Sequence, residues 1–446
     1  MSFTVSSFKE FPKVFWTANL TELFERAAYY AMASFLVLYL QQIGLGNYWP
    51  STLNGLLWFL VYFLPILSGS LADHFGFRRA LILAFVLLTI GYTFAGTPVW
   101  MGVAELNPGI AKDAPLTASP SVVLLAACAL LFIGLGGSII KPCISGTVQK
   151  ASPAKLVTLG FGLFYMVINV GSLFGRGVSY FVRVNTNLSY IFAVSGAMAL
   201  LAMFAVLFTY EEPPVHADAP KKDIKKTLLN MVLVLRQTRF VVFLALMTGF
   251  AFLYHQVYNI IPLYLNKFVQ EKPPVELYTM ANPVVIVLFQ LLITRFFGGM
   301  KPIRSIILGT LIIAGAMLIN IIPLALSLDL RSAVFASLPM GGLMAIATVA
   351  MIAFGELFEA PRLYEFIGRL SPKGQEGLYM GYANLPMALG SLIGGPVGAY
   401  IFNDVMVKQG RQELGWIMLA GIGVVAAAGI WIYARWLDRQ EAREAA

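Results

Sequence analysis

Two uninterrupted apolar runs, Val122 to Ile140 and Leu414 to Tyr433, set the first limit on this chain. Neither contains a charged residue, and each is long enough to cross the hydrocarbon core of a bilayer as a helix. Inside such a core every backbone N–H and C=O must be satisfied by the structure itself, which leaves helices and closed barrels. Barrel strands read as short segments of alternating polarity. These runs do not alternate, so helices are expected. The rest of the chain follows suit: apolar residues make up 59% of it and charged residues 12%, and the mean hydropathy is +0.77. A soluble domain of ordinary composition carries roughly twice that charged fraction. Most of the surface must face something other than water.

Hydropathy and helix breakers divide the sequence into about twelve spans. They are expected at 14–41, 51–73, 79–96, 121–148, 156–182, 188–209, 240–268, 276–298, 303–326, 333–367, 377–403 and 412–436. The expected class is an all-α membrane protein. Its net charge is +9, which in a soluble chain would suggest nucleic acid. Here topology explains it. With both termini cytoplasmic, about two thirds of the 31 Lys and Arg fall on inner segments, the skew the positive-inside rule predicts. The polar start Phe8-Lys9-Glu10 precedes the first apolar helix without a small-residue cleavage site, so no separate signal peptide is expected. Cys128 and Cys143 fall in one expected helix and read as small apolar residues, not as a disulfide.

The longest inner connection runs from Glu211 to Arg239 and contains Lys221-Lys222-Asp223-Ile224-Lys225-Lys226, a stretch suited to an anionic lipid surface. It splits the chain into an N-terminal six-helix bundle at 1–209, a cytoplasmic linker at 210–239 and a C-terminal six-helix bundle at 240–446. Paired halves of this kind pack around a central cavity.

Ionisable residues at membrane depth demand a partner or a function. Span 1 holds Glu22, Glu25 and Arg26, then Tyr29 and Tyr30. Spacings of three and four place Glu22, Glu25, Arg26 and Tyr29 near one helix face. Charges on such a face cannot point at lipid; they line a cavity or pair with other helices. Lys141 in span 4, His255 in span 7, and Glu356 and Glu359 in span 10 add charge from both halves. Asn169, Gln256, Asn282 and Gln290 add hydrogen-bonding groups. A purely structural reading, in which these charges hold a helix bundle together, is the alternative. Between spans 2 and 3, Gly69, Asp73, Gly76, Arg78 and Arg79 form a candidate gating loop: Gly76 permits a tight turn, and Asp73 can bind free amides or the arginines. This loop resembles that of the major facilitator superfamily, with His74 where arginine is usual. His74 and His216 lie in inner loops and carry no special role.

Three motifs resemble the proton-dependent oligopeptide transporter family of that superfamily. Span 1 has Glu22-Leu23-Phe24-Glu25-Arg26 followed by Tyr29-Tyr30, similar to E-x-x-E-R-F-x-Y-Y. Span 5 has Phe161-Gly162-Leu163-Phe164-Tyr165 and then Ile168-Asn169-Val170-Gly171-Ser172, similar to F-x-x-F-Y-x-x-I-N-x-G-S/A. Span 4 has Gly136-Gly137-Ser138-Ile139-Ile140-Lys141-Pro142, similar to G-x-G-x-x-K-P-N. Asn282-Pro283 and Gly355-Glu356-Leu357 are similar to elements of the second half. The resemblance covers most of the chain and is strongest in its first half. It implies a major facilitator fold of twelve helices and proton-coupled import of di- and tripeptides by alternating access. It further implies that Arg26 and Lys141 hold the peptide carboxylate and Glu356 the amino group. Tyr29, Tyr30, Tyr62, Asn169 and Asn282 would line the pocket, and Glu22 and Glu25 would take part in proton coupling. From the residues alone, a zwitterionic peptide needs both signs of charge, which the two halves supply.

The chain departs from that pattern at Ala27, where the family has Phe, and at Cys143, where it has Asn. His255, followed by Gln256, stands where bacterial members carry a glutamate implicated in proton binding. A histidine at that depth could serve as the proton site or stay neutral in the bundle. Arg176 and Glu359 are also unusual. The resemblance implies a monomer in the bacterial inner membrane, with peptide, protons and lipid as partners, and no cofactor or nucleic acid. Another small organic solute or anion is the alternative cargo. An intramembrane enzyme finds no support in H-E-x-x-H, G-x-S-x-G or a metal-ligand cluster. A ligand-sensing receptor would not need paired halves.

Overall fold

The computed structural model describes residues 5–68, 75–107, 114–153, 155–212, 233–335, 337–371 and 379–444. Among them, eleven helices are long and apolar enough to cross a membrane, or twelve if the bent pair Lys13–Ala33 and Leu36–Leu45 forms one span. The chain is therefore an integral membrane protein built of helices. In chain order the α-helices are α1 (Lys13–Ala33), α2 (Leu36–Leu40), α3 (Trp49–Phe63), α4 (Phe77–Trp100), α5 (Pro120–Ala151), α6 (Val157–Asn185) and α7 (Tyr190–Thr209). They continue with α8 (Thr238–His255), α9 (Ile260–Tyr264), α10 (Val275–Thr279), α11 (Ala281–Phe297), α12 (Pro302–Leu318), α13 (Ile321–Ala325), α14 (Met340–Leu370), α15 (Leu385–Tyr400) and α16 (Gln412–Glu444).

Two expectations need correction. Span 10 was expected from 333, but α14 begins at Met340. Residues Ala333–Phe335 (β1) and Leu338–Pro339 (β2) instead form an antiparallel pair, with Ala333 opposite Pro339. Pro339 lacks an N–H and disfavours helix in the residue before it, so the helix starts only after it. Span 7 is not one regular helix. After His255 it narrows to a 3-10 turn at Gln256–Tyr258, resumes as α9, and ends in a π-turn at Leu265–Val269.

The chain divides into two compact units. The first comprises Met1–Tyr39, Leu60–Leu106 and Ala118–Thr227; the second comprises Leu40–Phe59, Asn107–Thr117 and Leu228–Ala446. Within the first unit, α1 packs on α6 and α7, and α4 packs on α5 and α7. Lipid tails are as apolar as leucine, so such helices associate through close backbone approach at small residues. A Cβ on Gly136 of α5 would lie 2.7 Å from the carbonyl oxygen of Ala84 in α4. On α6, a Cβ on Gly171 would lie 2.6 Å from the carbonyl oxygen of Leu23 in α1. Within the second unit, α12 packs on α14 and α16, α8 packs on α15, and α11 packs on α14. There Gly309 of α12 meets Gly355 of α14: a Cβ on Gly309 would lie 2.6 Å from the carbonyl oxygen of Gly355.

Candidate functional site

The first unit buries a charged cluster on α1. Glu22 is 0% exposed, Glu25 1% and Arg26 5%. The Arg26 Nε lies 3.3 Å from Glu22 Oε1, and the same nitrogen donates to Glu25. The i, i+4 spacing of Glu22 and Arg26 produces the first contact and adjacency in sequence the second. One guanidinium thus holds two carboxylates away from water. The guanidinium also stands 5.4 Å from the centre of the Tyr29 ring, within the range of a cation–π contact. Tyr29 and Tyr30 meet edge to face with ring centres 5.4 Å apart.

Residues of α5, α6 and the end of α3 complete the arrangement in this unit. The Lys141 ammonium of α5 lies 4.9 Å from the centre of the Tyr62 ring, and Lys141 acts electrostatically on Glu22. Asn169 of α6 is buried, and its amide donates to the Tyr165 carbonyl at 2.9 Å. One turn past Ser172, Arg176 is fully buried, donates to the Ser172 hydroxyl and stacks on Tyr30 at 4.5 Å. The sequence marked Arg176 as unusual without supplying its contact. The contact with Tyr30 makes the two adjacent tyrosines each a platform for a different arginine.

Part of the expected gating loop, Gly69, Asp73 and His74, lies outside the described residues. Gly76 precedes α4 at φ +88, a conformation open to glycine. Sequence reasoning missed the group that occupies this turn. Glu212, just past α7, accepts from the backbone N–H of Phe77 at 3.2 Å and of Arg78 at 2.8 Å. A carboxylate at a helix N-terminus satisfies free amides and favours the helix dipole. Arg78 in turn donates to the Leu207 carbonyl at 2.8 Å. Arg79 is exposed. The signal available was Glu211-Glu212 at the end of span 6, on the same expected face as Arg78-Arg79.

In the second unit, Asn282 of α11 donates to the Glu356 carboxylate of α14 at 2.9 Å. Glu359, one turn further on α14, is 5% exposed. His255 ends α8, is 0% exposed, and has no hydrogen-bond partner on either ring nitrogen among the described residues. It packs edge to face on Trp58, ring centres 5.2 Å apart. Gln256 is fully buried, and its polar ends are engaged. Its Nε2 donates to the carbonyls of Phe252 at 3.0 Å and Gly394 at 3.3 Å. Its Oε1 accepts from Asn259 at 3.1 Å. Asn259 and Trp58 were not anticipated. Gly390, Gly394 and Gly398, repeated every four residues on α15, were the signal that a polar backbone face would be bared there. Among the described residues, no group of His, Cys, Asp and Glu is placed to hold a metal ion.

Residues 15–358 match the family model of the Major Facilitator Superfamily. The chain belongs to this superfamily of transporters. Similar curated proteins include peptide permeases and multidrug resistance proteins. Dipeptide and tripeptide permease B of Photorhabdus asymbiotica is 26% identical over 251 residues, covering 55% of this chain and 46% of the permease. The match thus spans less than half the length of that relative. Multidrug resistance protein MdtH of Sodalis glossinidius is 25% identical over 380 residues, covering 84% of this chain and 82% of that protein. Among solved structures, the POT family transporter PepTSo matches with TM-score 0.74 at 19% identity, covering 96% of this chain and 99% of that one. A POT family transporter in complex with a thioalcohol-conjugated peptide matches with TM-score 0.73 at 17% identity, covering the same shares. These likenesses establish the fold.

Proposed function

We propose that the chain is a proton-coupled symporter that imports di- and tripeptides by alternating access across the bacterial inner membrane, with both termini cytoplasmic. The observation that carries this reading is the buried cluster in which Arg26 holds Glu22 and Glu25. A buried ion cluster of this kind is costly to assemble, and a hydrophobic substitute would often hold a bundle equally well. Its retention on α1 is accounted for by work that charge must do. Arg26 and Lys141 suit a peptide carboxylate, and Glu356, oriented by Asn282, suits an ammonium. Tyr29, Tyr30, Tyr62 and Asn169 supply aromatic and amide surface to the first of these. Protonation of Glu22 or Glu25 would release part of Arg26, which gives proton and cargo a shared group to compete over. Similarity to the permease named above, and the match to POT transporter structures, support the same cargo.

A second reading has its own observation. One relative aligned over most of this chain is a multidrug resistance protein. A non-peptide organic solute or anion is therefore the alternative cargo.

The test is uptake of labelled dialanine into liposomes containing the protein, with and without an inward proton gradient. Uptake that follows the gradient and is competed by short peptides is the expected result. Folded protein that takes up no dialanine under any gradient would move the reading to the second cargo class. His255 is expected to be dispensable in this assay. Among the described residues neither ring nitrogen has a hydrogen-bond partner, and an unpaired buried charge is costly. His255→Gln should keep gradient-driven uptake within about twofold of wild type. Uptake reduced to the level of passive exchange would instead make His255 the proton carrier.

A further inference from the structure

We infer that Glu359 is a proton-binding site in the second unit, in a carboxylate pair with Glu356. This deepens the symport reading and rests on it for the cargo alone. Glu356 and Glu359 lie three residues apart on α14, and so on one face of the helix. They are not equivalent. Glu356 is half-buried and accepts the amide N–H of Asn282. Glu359 is buried, and among the described residues its carboxyl has no hydrogen bond and no ion pair. It faces α12 where Gly309 brings no side chain: a Cβ there would stand 3.3 Å from the Glu359 Cβ.

Among the described residues, the charges around it do not compensate it. On its own helix, Glu356 acts on it electrostatically, and it acts in turn on Tyr364. Arg362, the nearest arginine in sequence, is committed elsewhere. It pairs with Glu365 at 2.6 Å and donates to the Phe297 and Gly298 carbonyls at the end of α11. From α12, Ser305 donates to the Phe358 carbonyl, and the adjacent Arg304 is exposed. From α11 comes Asn282, already on Glu356, while Arg295 is exposed. The segments bearing Lys267 and Glu276 meet α14 at Gly341 and Gly342, far along the helix from Glu359. On α8, Arg239 bonds Gln440, and Phe243 packs on Phe366.

A buried carboxylate beside another, with no cation paired to it among the described residues, is stable as the neutral acid. Two such groups close together share one proton, and the group with the better hydrogen bond stays ionised. Asn282 makes Glu356 the ionised member. Glu359 then takes a proton from water when the site is wetted and returns it to water later, with no other bond made or broken. The neutral Glu359 leaves Glu356 as a single negative charge for a cationic group on the cargo. Empty of both, the unit would hold two negative charges on one helix face.

The decisive measurement needs no cargo. Infrared difference spectra of the purified protein, recorded while pH is raised from neutral, report protonated carboxyl groups directly. Wild type should show a carboxylic-acid band that bleaches on alkalinisation. Glu359→Gln should lack the component of that band due to Glu359, while Glu356→Gln should retain it and bleach at lower pH, because the neighbouring negative charge that opposes ionisation of Glu359 is gone. An unchanged band in Glu359→Gln overturns the assignment. In liposomes, Glu359→Gln should keep dialanine counterflow within about twofold and lose at least about tenfold of gradient-driven accumulation. Full gradient-driven accumulation by this variant also overturns it. If wild type carries no dialanine, the peptide reading fails while the infrared result still decides Glu359.

Discussion

Arg26→Ala is expected to abolish gradient-driven dialanine uptake and to lower the thermal midpoint of the solubilised protein. Both effects have one source. In the folded first unit Glu22 and Glu25 are fully buried and share Arg26 as their cation. Removing one partner of a buried ion pair strands a charge, at a cost of about 3–5 kcal/mol. Two stranded carboxylates should then pick up protons or drag water into the bundle. A control separates stability from transport. Glu22→Gln and Glu25→Gln added to Arg26→Ala replace the stranded charges by neutral amides of the same shape. The triple variant should recover most of the lost thermal midpoint without recovering uptake. Arg26→Lys should lie between, because a compact ammonium cannot reproduce the guanidinium's planar set of donors. Wild-type uptake by Arg26→Ala would show that the cluster is only a strut.

What was readable in the sequence divides along physical lines. Hydropathy is a local property, so the spans could be placed from it; the spans expected at 121–148 and 303–326 correspond to α5 at Pro120–Ala151 and α12 at Pro302–Leu318. The face shared by Glu22, Glu25 and Arg26 also follows from spacing within one helix, and their contacts are present. Where contacts join residues distant in sequence, the reading ran out. Glu212 caps α4 from 134 and 135 residues away, and no window along the chain relates the two. Trp58 beside His255, and Asn259 bound to Gly394, are of the same kind. Span 10 was overextended because Ala333, Val334 and Phe335 are as apolar as the helix that follows. Hydropathy does not distinguish a strand from a helix there, and Pro339 was the local sign that the helix starts later. Ala27 marked a departure from the resembling family, and its reason lay on another helix.

That reason leads to the second large effect, which is expected from a single methyl group. Gly175→Ala should sharply reduce the yield of folded protein and lower the thermal midpoint of what remains. Gly175 and Gly171 are four residues apart on α6, and both turn their bare backbone toward α1. A Cβ on Gly175 would lie 2.7 Å from the Cα of Ala27 and 2.8 Å from its carbonyl carbon. These are backbone atoms, so no side-chain rotation relieves the overlap; the helices must separate. Overpacking of a tight core costs about 1–3 kcal/mol even when side chains can adjust, and here they cannot. Ala27 is itself fully buried at this crossing. The same crossing sets Arg26, since a Cβ on Gly171 would stand 3.0 Å from the Arg26 Cβ. Moving α6 therefore moves the charged cluster, and uptake per folded molecule should fall along with stability. Gly162 on the same helix provides the comparison. A Cβ there would meet nothing within 4 Å, and alanine favours helix over glycine by about 1 kcal/mol. Gly162→Ala should be neutral or slightly stabilising and transport normally. Equal behaviour of the two alanine variants would mean that α1 and α6 are not held by this backbone contact, and that the charges on α1 owe their positions to something else.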